Sequence, residues 1–179
     1  MFRTGFLLSA LFVPLALAQS PVPTQQVTVS VGSNTATGRD AFDLGLGYQL
    51  GYRYHFNQHL ALDAAWVEQS GGLGSALTLG LIQESLDYHG ATLGLKGTLP
   101  VSSGFELFVR GGANYGTASH EIRTSDTRRE KHRGVRPYVG GGLAFRMGQH
   151  WDLSLEYQHL DMAEGFASNS ALMGLGYRF

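Results

Sequence analysis

The sequence predicts an all-β fold, an eight-stranded antiparallel up-and-down transmembrane β-barrel. Three observations predict it. Apolar residues recur with a period of two in eight segments, the connections between these segments alternate in length, and 25 of the 179 residues are glycine. The hydrophobic share is 43%, yet no apolar run outside the first residues is long enough for a membrane helix. Such a chain presents apolar surface through strands.

The second predicted strand, from Leu44 to Phe56, shows the pattern most clearly. Seven large apolar residues there alternate with three glycines and with Gln49, Arg53 and His55. All seven side chains therefore lie on one face of a strand, whereas a helix would distribute them around its circumference. In chain order, the apolar faces of the first, third and fourth strands run over Val27–Val31, Leu60–Trp66 and Ala91–Leu99.

The second half of the chain repeats this alternation four more times. In the fifth strand Phe108 departs from the pattern, because it is a large apolar residue at a position expected to be polar. The last strand ends on the chain terminus. The apolar faces of the fifth to eighth strands run over Phe105–Tyr115, Val135–Met147, Trp151–Tyr157 and Ala171–Phe179.

Short and long connections alternate between these strands. Short turns are expected at 57–58, 100–104 and 148–149. The other connections are longer and cover 32–43, 68–85, 117–134 and 161–168. Short turns at one end and long loops at the other are typical of outer-membrane barrels, in which the turns are periplasmic.

A soluble β-sandwich is the structural alternative. Its polar face would meet water and be rich in Lys, Glu and Thr, whereas here the polar face is mostly Gly, Ala and Ser with a few charges. Aromatic residues also collect near the turns, with Trp66 and Tyr115 near the loops, and two aromatic girdles are typical of a membrane barrel. Both features favour the barrel.

The composition excludes several functional classes. Thirteen Lys and Arg balance 14 Asp and Glu, so a net charge of −1 offers no bulk attraction for nucleic acid. The absence of cysteine excludes disulfide scaffolds, thiolate zinc sites and thiol catalysis. We expect no cofactor, no metal site and no nucleic-acid partner.

The first 18 residues have the pattern of a secretory signal peptide. Arg3 supplies a positive charge, an apolar core follows, and Ala16-Leu17-Ala18 has the small-x-small pattern of a cleavage site. A transmembrane helix is the alternative, but the apolar stretch is short for a span of about 20 residues and contains Pro14. The expected division is a signal peptide over 1–18, a short N-terminal periplasmic segment over 19–24 and the barrel over 25–179.

The C-terminal residues carry a resemblance to a known class. Gly174 to Phe179 resembles the C-terminal signal of bacterial outer-membrane proteins, in which alternating apolar residues end on a terminal Phe. In that class the barrel-assembly machinery recognises this strand. The resemblance therefore implies that Tyr177 and Phe179 form an assembly signal.

Two further stretches narrow the resemblance. Gly51 to Leu62 resembles the second hairpin of the OmpA-like transmembrane domain and the related opacity-type small barrels, and Arg136 to Gly142 with Leu153 to Gln158 resembles the third turn of that family. The resemblance covers nearly all of the mature chain. It implies an integral protein of the outer membrane of a Gram-negative bacterium.

The function that the resemblance implies is structural and surface-interactive. OmpA itself continues into a peptidoglycan-binding domain, whereas this sequence ends at Phe179, so we do not expect wall anchoring. In length the chain is closer to the minimal OmpX-like barrels, which implies a role in adhesion or envelope integrity. We expect a monomer whose partners are outer-membrane lipid, lipopolysaccharide, the assembly machinery and, through the loops, a host or phage surface ligand.

The strand alternation predicts a lumen that contains charged side chains. An eight-stranded barrel is just wide enough to be filled by side chains, so these charges must pair or hold water. One interpretation is a salt-bridge network that plugs the lumen, and the other is a gate that opens a narrow porin-like path for ions. The expected lumen charges are Arg53, Lys96, Arg110, Arg136, Arg146 and Arg178 against Asp63, Glu106, Asp152 and Glu156.

Two of the long connections have unusual compositions. The connection over 117–134 holds a basic cluster that is either a solvated hairpin or a contact for lipopolysaccharide phosphates or another anionic surface. The connection over 68–85 holds an apolar set that either extends the fourth strand or binds a partner or a small hydrophobic solute, as in OmpW-like barrels. The basic cluster is Arg123, Arg128, Arg129, Lys131 and Arg133, and the apolar set is Leu77, Leu79, Leu81 and Ile82.

Catalysis is the remaining class to weigh. Some eight-stranded barrels modify lipid A, and the deacylase type carries a His-x-Ser pair on its seventh strand. The matching residues here are His159-Leu160-Asp161, with Asp where the nucleophilic hydroxyl should be. We therefore expect no enzyme and no catalytic residues.

Overall fold

The computed structural model describes residues 24–38, 41–70, 84–122, 128–162 and 167–179. Within these ranges the chain forms eight strands, each antiparallel to its sequence neighbours, and β8 pairs with β1 to close the sheet into a barrel. In this part of the chain, no helix is long and apolar enough to cross a membrane. The strands are β1 Gln25–Gly38, β2 Ala41–His55, β3 Leu60–Ser70, β4 Glu84–Pro100, β5 Phe105–Ile122, β6 Arg128–Met147, β7 Trp151–Asp161 and β8 Ala167–Arg178.

The side chains of the barrel are arranged with the apolar ones outside. Leu50 and Leu93 point outward and are more than half exposed, whereas Asp63 and Gln158 point inward and are fully buried. A water-soluble protein has the reverse arrangement. A polar lumen within an apolar outer wall suits a barrel surrounded by lipid, and the predicted eight-stranded antiparallel fold is confirmed.

Phe108 faces the lumen, as its position in the strand alternation predicts, although its side chain is apolar. It lies between Glu106 and Arg110, and all three side chains are buried in the lumen. The ammonium of Lys96 lies 4.1 Å from the centroid of the Phe108 ring. The ring therefore faces a cation, an arrangement that is favourable where charges are removed from water.

Inward glycines make room for large side chains in this narrow lumen. A Cβ at Gly116 would overlap the ring of Tyr88 on the neighbouring strand. Gly148 has a different role, because its φ of 71° in the turn between β6 and β7 is a conformation that favours glycine. The high glycine content thus has at least two separate structural causes.

The strands differ in length. β7, which ends within the described residues, has 11 residues, whereas β4, β5 and β6 have 17, 18 and 20. A strand crosses a membrane with about 9–11 residues, so β4, β5 and β6 continue well beyond it. We call residues 84–87 of β4, 117–122 of β5 and 128–137 of β6 the extension.

The expected long loops at 32–43 and 117–134 are therefore mostly strand, which corrects the sequence prediction. β1 pairs with β2 as far as Gly38 and Ala41, and β5 pairs with β6 as far as Ile122 and Arg128. Outside the membrane no lipid selects an apolar face, so the backbone ladder continues where the apolar alternation stops.

Some sequence predictions fall outside the described residues. These are the signal peptide over 1–18, residues 19–23 of the expected periplasmic segment, and the apolar set between Leu77 and Ile82. Thr24 is described, and its carbonyl oxygen accepts a hydrogen bond of 2.7 Å from the backbone N–H of His55. This residue already belongs to the barrel rim.

Candidate functional site

The central feature of the lumen is the guanidinium of Arg110. Its Nε donates to Glu156 Oε1 at 2.5 Å, its Nη1 to Asp63 Oδ2 at 2.8 Å and its Nη2 to Gln49 Oε1 at 2.7 Å. All four side chains are buried. Arg110 on β5 therefore connects β2, β3 and β7 across the barrel axis, and two of its three partners are carboxylates.

Two neighbouring contacts complete this central group. Arg53 forms an ion pair with Asp63, so one carboxylate is shared by two guanidinium groups. The side-chain amide of Gln49 donates to the side-chain oxygen of Gln158. A buried ion pair is stable only when further hydrogen bonds satisfy its remaining polar atoms, and the Gln49 side-chain oxygen supplies one of them to Arg110.

A second group of charges lies near the strand ends that carry the short turns. Arg178 Nε donates to Asp152 Oδ2 at 3.1 Å, and its Nη2 lies 3.5 Å from Glu106 Oε2. Gln26 Nε2 donates to the same Asp152 oxygen at 2.6 Å. Arg146 pairs with Glu106 and is the most exposed member of the group, with 38% of its side chain accessible.

Two of the predicted lumen cations are placed differently. Lys96 is buried, but its cation–π contact with Phe108 takes the place of an ion pair, and the described residues provide no carboxylate within salt-bridge distance of it. Arg136 is exposed, so its expected place in the lumen is wrong. β6 pairs with β7 only from Tyr138 onward, and Arg136 lies beyond that point, where the barrel is no longer closed.

An apolar cluster occupies the other end of the lumen, and sequence reasoning missed it. We call it the lid; its buried members come from β1, β3, β4, β6 and β7 and from the residue after β7. Leu160, one of them, has no accessible surface. The only sequence signal was a scatter of single apolar residues at inward-facing positions. The lid consists of Ala36, Val67, Tyr88, Tyr138, Leu160 and Met162.

Polar side chains also lie at this end of the lumen, in register with members of the lid. Gln69 on β3 donates to Ser170 Oγ at 3.1 Å and accepts from Ser168 Oγ at 2.8 Å. The hydroxyl of Tyr88 donates to Asn114 Oδ1 at 2.9 Å. The loop end of the lumen is therefore filled with apolar side chains together with buried amides and hydroxyls.

The predicted basic cluster lies on the extension as far as its backbone is described. Arg129, Lys131 and Arg133 pair with Glu121, Ser119 and Thr117 in the ladder between β5 and β6. The side chains of this stretch, and the whole of Arg123, lie outside the described residues. β6 residues 128–137 pair with β5 on one side, and the described part of β7 provides no partner on the other.

His159 does not have the surroundings of a catalytic base. Its Nδ1 lies 2.8 Å from Asn169 Oδ1 and its Nε2 lies 3.2 Å from Asp161 Oδ1, on the outer face of the barrel. Both ring nitrogens are therefore occupied by oxygen atoms, and among the described residues no hydroxyl is hydrogen-bonded to the ring. A nucleophile–base pair needs such a contact.

The C-terminal residues form part of an aromatic belt at the turn end. Tyr177 packs edge-on against Trp151 with ring centroids 4.9 Å apart and stacks on Phe179 at 6.3 Å. The backbone of Phe179 exchanges two hydrogen bonds with Gln25, at 2.9 and 3.2 Å. The predicted assembly signal thus presents its aromatic side chains outward while its backbone closes the barrel.

Comparison with known structures places this architecture among small outer-membrane barrels. Neisserial surface protein A superposes with a TM-score of 0.70 at 10% identity, covering 87% of this chain and 97% of that one. Ail, the attachment invasion locus protein of Yersinia pestis, superposes at 0.62 with 20% identity and the same coverage. The outer membrane enzyme PagL gives 0.50 at 13% identity, over 86% of this chain and 99% of that one. At these identities the likeness is one of fold.

No curated protein matches the chain in sequence. A protein family does match: the outer membrane protein beta-barrel domain family covers residues 4–179. PagL, which is an enzyme, superposes less closely than Neisserial surface protein A and Ail. The chain is therefore an outer-membrane β-barrel protein and belongs to the outer membrane protein beta-barrel domain family.

Proposed function

We propose that the protein acts at the cell surface, with the extension as its binding surface and the barrel as its membrane anchor. The observation that carries the proposal is the length of β4, β5 and β6, which have 17, 18 and 20 residues where β7, which ends within the described residues, has 11. In an outer-membrane barrel the end opposite the short turns faces outside. On this proposal the described extension is a three-stranded antiparallel sheet that projects from the cell.

The charge of the extension favours an anionic partner. Residues 123–133 contain five cationic side chains against Asp126 and Glu130. Arginine and lysine side chains on an outer surface recognise phosphate, sulfate and carboxylate groups. Lipopolysaccharide phosphates and a sulfated host polysaccharide both have this chemistry, and the description of Ail as an attachment protein supports a surface-binding role.

A charge-reversal experiment tests this proposal. The triple variant Arg128→Glu, Arg129→Glu and Lys131→Glu should bind lipopolysaccharide or heparin at least about tenfold more weakly than the wild type, because each replaced cation becomes repulsive. The matched control, Arg128→Lys with Arg129→Lys, should keep its binding. Binding is measured on protein in phosphatidylcholine vesicles at two salt concentrations. Equal binding by the wild type and the Glu variant would contradict the proposal.

A narrow ion channel is the second candidate, and the charged filling of the lumen is what favours it. The lid argues against it, since apolar side chains that fill a constriction are a barrier to ions. Planar-bilayer recording separates the two. We expect no discrete conductance from the wild type or from Arg110→Ala, and discrete openings in either would favour the channel.

A further inference from the structure

A groove crosses the lipid-facing wall on β4, β5 and β6. It has a volume of about 720 Å³ and is lined mainly by aliphatic side chains with outward-facing glycines. Within the described residues it carries no charged side chain in its lining, and its single ionisable residue is His59 at the edge. The aliphatic residues and glycines of its outward surface are Leu99, Leu107, Val109 and Leu143 with Gly97 and Gly141.

The absence of side chains at Gly97 and Gly141 opens this groove. The two glycines flank Val109 in register on the neighbouring strands. A Cβ at Gly97 would have Val109 Cγ2 as its nearest atom, at 3.7 Å, which is an ordinary contact. A Cβ at Gly141 would lie 3.3 Å from the carbonyl oxygen of Phe108. Backbone packing therefore does not require a glycine at position 97, in contrast to the inward Gly116.

The groove lies at the height of the acyl chains of the inner leaflet. Val109 is the fifth residue of β5 from the periplasmic turn, and a tilted strand gains roughly 2.5 Å of membrane depth per residue. Gly141 also borders a second depression of about 560 Å³, lined by Leu155, Tyr157 and Met173 nearer the middle of the membrane. The two depressions together lead from the periplasmic rim toward the bilayer centre.

His59 gives the periplasmic end of the groove a fixed polar group. Its Nδ1 lies 3.1 Å from the carbonyl oxygen of Thr98 on β4, and its Nε2 lies 3.1 Å from the side-chain amide of Gln58. His59 is exposed in the short turn between β2 and β3, at the height of the lipid headgroups. The polar edge suits the headgroup of a phospholipid, and the apolar groove suits its acyl chain.

We propose that this groove binds one acyl chain of a glycerophospholipid of the inner leaflet, with the headgroup beside His59. The groove is continuous with the wall that already faces lipid, and apart from His59 at its edge its outward lining is aliphatic. A chain lying in the groove contacts protein along its sides as well as its base, whereas a chain on a smooth wall contacts protein on one side only. Because dispersion contacts add up, the chain in the groove exchanges more slowly than the surrounding lipid.

Native mass spectrometry of the barrel released from phosphatidylethanolamine and phosphatidylglycerol nanodiscs tests the proposal. The wild type should retain one phospholipid, and Gly97→Leu, which fills the groove, should retain it at least about fivefold less often. The control Ala64→Leu adds three carbon atoms, against four in Gly97→Leu, to the outward face of β3, outside the groove, and should behave as the wild type. Val109→Phe fills the groove without changing a glycine and should repeat the loss.

Three results would overturn the proposal. One is equal lipid retention in the wild type, Gly97→Leu and Val109→Phe, each checked to be folded by its heat-modifiable gel mobility. Another is loss of lipid from Ala64→Leu to the same extent. The third is a wild-type dimer that Gly97→Leu converts to a monomer in light scattering, since the occupant would then be a second copy of this chain.

Discussion

The two halves of the lumen are closed by different interactions. In the periplasmic half, charged side chains such as Arg110, Asp63 and Glu156 form ion pairs across the axis. In the extracellular half, the lid packs apolar side chains such as Val67 and Leu160. The first arrangement depends on every partner being present, because a buried charge left alone is costly. The second depends on volume, because a missing side chain leaves a cavity.

The largest effect should come from Arg110→Ala. The variant removes the shared partner of two buried carboxylates, and breaking a buried pair in this way costs about 3–5 kcal/mol. The free energy of unfolding in urea, measured in lipid vesicles, should fall by that amount. The control is Arg146→Ala, which should cost less, because 38% of the Arg146 side chain is accessible and Glu106 keeps Arg178 as a second partner. Similar losses for the two variants would show that the central group is not special.

Leu160→Ala tests the lid and should have the next largest effect. The fully buried side chain leaves a cavity on removal, which costs about 2–5 kcal/mol in well-packed interiors. The same substitution at Leu155, which is 55% exposed on the outer face of the same strand, should cost less. Salt should leave the Leu160→Ala loss unchanged. Equal losses at the two positions would contradict the existence of a packed lid.

Lys96→Met should leave the stability of the barrel unchanged or raise it, in contrast to Arg110→Ala. The lysine is buried against Phe108 without a carboxylate partner in the described part of the chain. Replacing a buried charge by an apolar side chain of similar length is often neutral or stabilising. The urea midpoint should therefore stay constant or rise, and a fall comparable to that of Arg110→Ala would indicate that Lys96 belongs to the ion-pair group.

Arg136→Gln should have the smallest effect. Arg136 is exposed beyond the closed part of the barrel, and surface substitutions away from special features usually change stability by no more than about 0.5 kcal/mol. The unfolding free energy should be unchanged within error. A loss above about 2 kcal/mol in the free energy of unfolding would contradict the exposed position and favour the lumen position that the sequence predicts.

The error at Arg136 shows what strand alternation can and cannot predict. Parity assigns a residue to a face, and Arg136 shares its parity with the buried Tyr138. Parity does not say whether the neighbouring strand is still present at that height. The pairing register decides this, because β7 ends its contact with β6 at Leu160 opposite Tyr138.

The lid was missed for a related reason. Val67, Tyr88 and Leu160 are single apolar residues at inward positions on three different strands. In each strand alone such a residue looks like an irregularity, as Phe108 did. Only the closure of the barrel brings the irregularities of separate strands together and makes them one packed layer.

The sequence by itself determined the number of strands, the side of each strand that faces lipid and the charged character of the lumen. These properties depend on the period-two alternation of side chains, which is local along the chain. The tertiary structure decided the ion-pair partners, the lid, the extension and the groove. Each of these depends on the register between strands that are distant in sequence, which the alternation within one strand does not specify.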